Sequence, residues 1–367
     1  MAAGTKEMRN PASRLSNDLI VEILSRLPIK SLCRSKCVSK HWRDLISHPD
    51  HRKKLPQTLA GFFYHTTCRE RFPESARHFT NVTGRGEPLI RPSLSFLPGY
   101  ADIDILDCCN GRLLCRSRTA AGPFRYVICN PATEQWAAVP QSNQSWNICS
   151  ARLGFDPAVS PHFHVFEFVE TGAVDGLEIY SSVTGEWVHS YSRWSDKARL
   201  CHDVSTVFLN GFLHMVAFEH QDVLVVDTEG KVRRTIPVPR GYYNGLIGQS
   251  RGKLYYLNVV EVYDFKLVVF VLEDYATDHW VFKHSVRMSK LLGTKNSYPT
   301  LQHYSLIAVH PECHLIFFIS DLDHTIRCYD MDRREVLVIC NMGCMREWPK
   351  RCLPYVPLFS ESSVGWN

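Results

Sequence analysis

Apolar residues follow two different spacings along the chain. In residues 15–49 they recur at the three- and four-residue intervals of an amphipathic helix, as in Leu19, Ile20, Ile23, Leu24 and Leu27. From residue 94 onward, short runs rich in Val, Ile, Phe and Tyr alternate with turn residues, which is typical of β-strands. The pattern therefore predicts a small helical module followed by a much larger β domain.

The helical module should contain three helices. Ser16 can cap the first helix, and Pro28 should end it, because the residue before a proline is disfavoured in the α conformation. Residues 29–34 have room only for a short second helix, with Leu32 as its apolar anchor. The third helix is predicted from one apolar face, formed by Val38, Trp42, Leu45 and Ile46.

A module of this size is too small to be stable alone, since domains below roughly 40 residues usually need a disulfide, a metal or a partner. Cys33 and Cys37 supply two ligands with a CxxxC spacing, and these do not make a zinc site. The apolar stripe of the first helix is wider than a small core needs, so we expect part of it to bind a partner helix. The alternative is that all of these leucines are core.

The residue string of the module resembles the F-box, by which substrate receptors dock onto a Skp-type adaptor in cullin-based ubiquitin ligases. Its most specific parts are Arg26-Leu27-Pro28 and the run from Cys37 to Trp42. Ser16 departs from the family, which usually has proline there, but a serine cap can substitute. The resemblance implies that the adaptor is bound by Leu15, Leu19, Ile20, Ile23, Leu24, Leu27, Pro28, Leu32, Val38 and Trp42.

The β domain repeats two elements in a fixed order. The first is a strand, a tight turn and a strand, as at Asn110-Gly111, Asn210-Gly211 and Arg251-Gly252. A two-residue hairpin turn needs positive φ at both central positions, which Asn-Gly tolerates. The second is a strand that ends in a polar or acidic turn, marked by Asn130, Ser182, Asp227, Asp274 and Asp330.

Successive markers of the second element lie 52, 45, 47 and 56 residues apart. A period of about 50 residues with four strands is typical of a β-propeller blade of the kelch type. Trp136, Trp187 and Trp280 follow the second turn in three units, and we expect them to fill the wedge between adjacent blades. A β-sandwich or an irregular β domain is the alternative.

Five blades are visible in the sequence, and a sixth would close the ring. Strands at residues 59–65 and 94–97, with the C-terminal residues 355–359, could complete it and remove exposed sheet edges. Residues 67–88 are charged and poor in aliphatic side chains, so we expect a long exposed loop there.

An F-box followed by such repeats resembles the plant F-box-associated family, and the run YVPLFSES at residues 355–362 adds to the likeness. The resemblance implies a multidomain α + β protein, in which a three-helix F-box precedes a kelch-like β-propeller of about six blades. The expected domains are a disordered N-terminus at 1–13, the F-box at 14–50, a linker at 51–58 and the F-box-associated β-propeller at 59–367.

The formal net charge of +5 is concentrated in the helical module. Residues 1–56 contain 12 Lys and Arg against 5 Asp and Glu, whereas the rest of the chain contains 30 against 32. A basic helical module could bind DNA through a helix-turn-helix. Because its basic residues are scattered around the helices, we expect no nucleic-acid partner.

The 14 cysteines are irregularly spaced and mostly lie in apolar, strand-like runs, where a free cysteine packs as a small hydrophobe. They form no disulfide pattern, and residues 1–10 lack the apolar core of a secretory signal. No apolar run is long enough for a membrane span. We therefore expect a protein of the cytoplasm, the nucleus or both, without a membrane partner.

The sequence contains no HExxH, GxSxG, P-loop or Rossmann glycine motif. His162 and His164 share one strand face and could hold a metal with one more ligand, but an exposed face of alternating His and Phe also explains them. We therefore expect no cofactor and no catalysis.

The expected role is the substrate-recognition subunit of an SCF-type ubiquitin ligase. The Skp-type adaptor would link it to the cullin scaffold, and the propeller would bind a substrate protein that the sequence does not identify. The alternative is a β-propeller enzyme or small-ligand-binding protein whose helical module only packs on the propeller.

Overall fold

The structure is a computed structural model of the 367-residue chain. It describes residues 15–27, 31–32, 35, 37–48, 51, 54–55, 59–67, 75–99, 103–119, 122–142, 148–170, 174–190, 206–216, 222–239, 245–262, 264–294, 304–343, 352–359 and 366. The predicted disordered segment 1–13 and Pro28 lie outside the described residues.

Two serine-capped helices form the N-terminal module. Helix α1 spans Asn17–Ser25, and the Ser16 hydroxyl accepts a hydrogen bond from the third amide after it at 3.4 Å. Helix α2 spans Lys40–Ser47, and the Ser39 hydroxyl accepts the equivalent hydrogen bond at 3.1 Å. Each cap satisfies one of the amides that the start of a helix leaves without an intrahelical partner.

The helices of this module share a small apolar core. Residues 31, 32 and 35 are helical, so the predicted short second helix is visible only in part. The core is assembled from residues 20–55, and it consists of Ile20, Val21, Leu24, Leu32, Leu45, Ile46 and Leu55, with the half-buried Leu27 and Trp42 packed against them.

Twenty-three strands follow along the described chain. The first two are β1 (Gly61–Thr67) and β2 (Ser75–Asn81). Blade 1 contains β3 (Ile103–Cys109), β4 (Arg112–Thr119), β5 (Gly122–Asn130) and β6 (Gln135–Val139). Blade 2 contains β7 (Ile148–Phe155), β8 (Phe163–Glu170), β9 (Val174–Ser181) and β10 (Glu186–Ser190). Blade 3 contains β11 (Thr206–Leu209), β12 (Phe212–Val216), β13 (Asp222–Val226) and β14 (Val232–Pro237).

The remaining elements build three more blades. Blade 4 contains β15 (Leu246–Ser250), β16 (Lys253–Val262), β17 (Asp264–Asp274) and β18 (His279–Arg287), and the short helix α3 (Met288–Leu292) follows it. Blade 5 contains β19 (Tyr304–Val309), β20 (Leu315–Ser320), β21 (Thr325–Asp330) and β22 (Glu335–Asn341). The last strand, β23 (Cys352–Tyr355), joins β1 and β2 in blade 6.

The six antiparallel sheets close into a ring, which confirms the predicted propeller and excludes the sandwich. The innermost strands β3, β7, β11, β15, β19 and β23 contact one another in this order, and β23 returns to β3. A separate apolar cluster lies at each of the six blade interfaces. Strands β13 and β20 lie between two other strands of their blades and bury residues of both faces, which explains why they read as continuous apolar runs.

Blade 6 is built from both ends of the propeller domain, as predicted. Strand β1 pairs with β2 on one side and with the C-terminal β23 on the other. Phe63 lies at the centre of this blade, with its ring centroid 4.9 Å from that of Phe79 and 5.4 Å from that of Tyr355. Ring closure thus depends on the pairing of the first and last strands.

Three local predictions in this region are wrong. The C-terminal strand expected at residues 355–359 is β23, which ends at Tyr355, and residues 356–359 form no strand. The loop expected at residues 67–88 contains β2, whose only large apolar residue is the buried Phe79, because this strand lies at the outer edge of its blade. The strand expected at residues 94–97 is a turn, in which Leu94 has a φ of 50°. Leu94 and Leu97 are nevertheless buried between blades 6 and 1, so their apolar character reflects burial without strand pairing.

The repeated turns have the predicted backbone. The first and second strands of three blades are joined by residue pairs that both have positive φ: Asn110-Gly111, Asn210-Gly211 and Arg251-Gly252. In the second turn of blade 3, the Asp227 carboxylate accepts hydrogen bonds from the Glu229 and Lys231 amides at 2.9 and 2.8 Å. Such a side chain holds its own turn closed, and equivalent bonds are accepted by Asn130, Ser181, Asp274 and Asp330.

The three tryptophans lie between blades, as predicted. The Trp187 indole donates a hydrogen bond at 2.7 Å to the carbonyl of Pro140, which follows the last strand of blade 1. The Trp280 indole donates at 2.9 Å to the carbonyl of Pro237 in blade 3. Trp136 packs into the cluster between blades 6 and 1. Each indole therefore joins the outer part of its blade to the preceding blade.

Candidate functional site

Helix α1 has two apolar faces. Ile20, Val21 and Leu24 point into the module and are at most 2% exposed. Leu19 and Ile23 point outward and are 53% and 45% exposed, and Leu15, just before the helix, is 39% exposed. Leu19 and Ile23 are four residues apart, so they lie one above the other along one side of the helix, and Leu15 precedes the N-cap at the same end as Leu19. We call these three residues the outer stripe.

The outer stripe is unusual for the surface of a soluble domain. Single exposed leucines are common on protein surfaces, but a continuous line of large aliphatic side chains on one helix is typical of a binding surface. The inner face already supplies the core of the module, so the outer stripe is not needed for packing. This geometry is that of a helix that packs against its own module on one side and is exposed for binding on the other.

The structure divides the ten predicted adaptor-binding residues into groups. Leu15, Leu19, Ile23 and Val38 are exposed, and Leu27 and Trp42 are half-buried against the module core. Ile20, Leu24 and Leu32 are buried inside the module, so in this conformation they support the outer stripe from beneath. Pro28 lies outside the described residues.

Val21 is 2% exposed and completes the inner face of α1, although the sequence pattern did not predict this role. Its signal was the pair of adjacent apolar residues, Ile20 and Val21, within an otherwise amphipathic pattern.

Polar contacts fix the orientation of α1. A hydrogen bond of 3.0 Å joins His41 Nε2 on α2 to the Asn17 side-chain oxygen at the start of α1. On the exposed side of α1, Arg26 donates to the Glu22 carboxylate at 2.6 Å. An exposed pair of this kind contributes little to stability. Its position beside Ile23 places one charge of each sign next to the outer stripe.

The described residues contain no group of three or more His, Cys, Asp or Glu side chains arranged to hold a metal ion. At the predicted His162 and His164 pair, burial and the neighbouring His162 lower the pKa of His164. Within the same part of the chain, no helix is long and apolar enough to cross a bilayer.

Two family models match the chain at the two regions just described. The F-box domain model matches residues 12–54, and the model described as F-box protein At3g26010-like, beta-propeller, matches residues 91–350. The second match covers more than two thirds of the chain. The chain belongs to the At3g26010-like F-box protein family.

Relatives of this F-box protein are found in Arabidopsis thaliana. F-box protein At5g07610 is 27% identical over 303 residues, which cover 75% of this chain and 71% of the relative. Putative F-box/kelch-repeat protein At1g15680 is 25% identical over 368 residues, which cover 91% of this chain and 85% of the relative. Both relatives therefore match well beyond the helical module.

Solved structures resemble the F-box protein only distantly. A chain in the crystal structure of a nidogen/laminin complex matches with a TM-score of 0.39 at 9% identity, covering 80% of this chain and 96% of that chain. The six-bladed ring follows from the six sheets and from the contacts between their innermost strands.

Proposed function

We propose that this F-box protein is the substrate-recognition subunit of an SCF-type cullin-RING ubiquitin ligase. The observation that carries the proposal is the outer stripe, which is exposed on an F-box whose own core is complete without it. A Skp-type adaptor would bury Leu15, Leu19 and Ile23, with Val38 as a further exposed anchor. Through this adaptor the protein would reach the cullin scaffold.

The mechanism is positional. The propeller would hold a substrate protein, and the adaptor and cullin would bring the ubiquitin-charged enzyme close to it. Holding two reactants together raises their effective concentration, so transfer accelerates although no residue of this chain takes part in bond chemistry. This role places the protein in the cytoplasm, the nucleus or both.

The F-box core explains why mutations at different positions should have different effects. Truncation of Ile20, Leu24 or Leu32 removes buried volume and destabilises the module itself. Truncation of Leu19 or Ile23 leaves that core intact and removes only the exposed surface. The outer stripe is therefore the place to test adaptor binding without unfolding the F-box.

Affinity purification from plant cells tests this proposal. Wild-type protein should retain the Skp-type adaptor and the cullin, and proteasome inhibition should increase the amount of a co-purified substrate protein. A double variant, Leu19→Asp with Ile23→Asp, should lose adaptor and cullin while retaining the substrate, because the propeller is unchanged. Retention of the adaptor by this variant, or its absence from the wild type, would contradict the proposal.

A further inference from the structure

Two glutamates lie side by side in the interior between blades 1 and 2. Glu167 on β8 and Glu178 on β9 are direct cross-strand partners, and they are 0% and 3% exposed. Cross-strand partners have Cβ atoms roughly 5 Å apart, so two ionised carboxylates there would repel each other strongly. Two buried negative charges at this spacing need a compensating partner.

Hydrogen bonds do not compensate the charge of Glu167. Among the described residues, neither of its carboxylate oxygens has a hydrogen-bond partner. Tyr126 and Ser142 enter from the blade 1 side, and both of their hydroxyls are also buried without a hydrogen-bond partner. The site therefore holds a buried acid and two nearby hydroxyl groups that form no well-aligned hydrogen bond to it, although they favour its charged form in part.

Nearby cations are occupied elsewhere. On the blade 2 side, His189 Nδ1 lies 3.3 Å from Glu178 Oε1, so the imidazole faces Glu178. On the blade 1 side, Arg116 lies next to Tyr126 on the sheet, but its guanidinium is 3.4 Å from the Asp104 carboxylate. No metal-binding group is found among the described residues. Among the described residues, protonation is the remaining way to neutralise Glu167.

We propose that Glu167 binds a proton at neutral pH and that the interface between blades 1 and 2 is thereby a proton-sensitive joint in the propeller. In the protonated form Glu167 gains one O–H donor, for which Glu178, Tyr126 and Ser142 offer acceptor oxygens. Loss of this proton leaves two adjacent carboxylates, and in the part of the chain that the structure describes the imidazole of His189 is the group that faces them.

The electrostatics of the site agree with this geometry. Burial raises the pKa of Glu167 from its ordinary value of 4.5 to about 7; the hydroxyls of Ser142 and Tyr126 oppose the rise, and the charge of Glu178 adds to it. Because the pKa is higher in the folded than in the unfolded protein, the folded state binds this proton more tightly. The stabilisation is complete at pH values below 4.5 and is lost as the pH rises through about 7.

Thermal unfolding of the full-length chain tests the proposal. Between about pH 5 and pH 8, Glu167→Gln, which is uncharged and of equal size, should gain stability relative to the wild type, because the other buried titratable groups, such as His214 and His310, are the same in both proteins. Near pH 6, calorimetry in buffers of different ionisation enthalpy should show about one proton fewer released on unfolding of the variant. The exposed Glu186→Gln in the same blade is the control and should follow the wild type.

Infrared spectroscopy of the folded protein provides a second measurement that needs no unfolding. The wild type should show the carbonyl band of a buried protonated carboxyl group near pH 6, with loss of the band at a midpoint of about 7. Burial raises the pKa of Asp321 to about 7 as well, so Glu167→Gln should lose only the part of the band that Glu167 contributes, and Glu186→Gln should keep the whole band. A wild type without this band, or a Glu167→Gln variant whose stability depends on pH as the wild type does, would overturn the proposal.

Discussion

Single hydroxyl groups determine where the helices of the F-box begin. The Ser39 cap of α2 is short at 3.1 Å, and the Ser16 cap of α1 is long at 3.4 Å. Ser16 also replaces the proline that is common in F-boxes, and it was predicted as a cap from its position before the first apolar stripe. The start of α1 should therefore be held less firmly than the start of α2.

Alanine substitutions at the two caps should differ in their effect. Ser39→Ala should destabilise its helix by about 1 kcal/mol, whereas Ser16→Ala should cost about half as much, because its hydrogen bond is weaker. Amide hydrogen exchange of Trp42 and Leu19 reports each helix start separately. Equal changes in exchange at the two sites would contradict this account of the caps.

Residue-scale prediction from the sequence succeeded where the backbone demands a particular side chain. Asn110-Gly111 was recognisable because few residues tolerate positive φ at two successive positions. Glu167 was missed, although a charged residue inside the apolar run from Val165 to Val169 was a visible signal. Its burial depends on blade 1, which approaches from a distant part of the chain, and a strand pattern does not show this contact.

Two turns with nearly identical sequences differ in whether they can accept a side chain at their glycine. Gly111 and Gly211 both follow asparagine and have φ values of 85° and 84°. A Cβ at Gly111 would lie 2.4 Å from Leu358 Cβ, whereas a Cβ at Gly211 would meet nothing within 4 Å. The difference arises because the C-terminal segment crosses blade 1, where Asn130 donates to the Leu358 carbonyl at 2.6 Å.

Gly111→Ala and Gly211→Ala therefore form a matched pair. Gly211→Ala should cost about 1–2 kcal/mol, the penalty for a left-handed conformation in a residue with a Cβ. Gly111→Ala should cost clearly more, because it must also displace the C-terminal segment. Urea denaturation monitored by tryptophan fluorescence measures both costs. A Gly111→Ala variant as stable as Gly211→Ala would contradict the close contact between Gly111 and the C-terminal segment.

At the scale of elements, the sequence was informative wherever a recognisable turn joined two strands. The repeated turn residues predicted both hairpins, and so the order of the strands, in five blades. Strand β2 was missed because an outer strand needs only one apolar anchor, Phe79. The turn at residues 94–97 has the apolar residues of a strand because Leu94 and Leu97 are buried between blades 6 and 1.

The propeller is a ring that is closed by its last strand. The F-box, which has its own core, precedes it in the chain. Contacts between β23 and its neighbours β1, β3 and β19 connect the C-terminal region to the start of the propeller. Without β23, the backbone groups of β1 on that side would lose their partners, and two apolar clusters would be opened.

Deletion of residues 352–367 should therefore remove cooperative unfolding of the propeller or make the chain aggregate. Deletion of residues 1–14 is the control and should leave the thermal transition unchanged, since the strands and the F-box core that the structure describes all lie after residue 14. Differential scanning calorimetry compares the two. A C-terminal deletion that melts as the full chain does would show that the ring closes without β23.

The proposed role rests on whether the outer stripe binds an adaptor, and equilibrium affinity is its most direct test. Isothermal titration of the full-length protein with a purified Skp-type adaptor should give specific binding. Leu19→Ala should weaken it by on the order of 2 kcal/mol, roughly 30-fold in Kd, because Leu19 is an exposed anchor at the centre of the stripe. Leu322→Ala, which truncates a leucine of the propeller that is 47% exposed, should bind as the wild type. Absence of binding by the wild type, or equal affinities for Leu19→Ala and Leu322→Ala, would contradict the account.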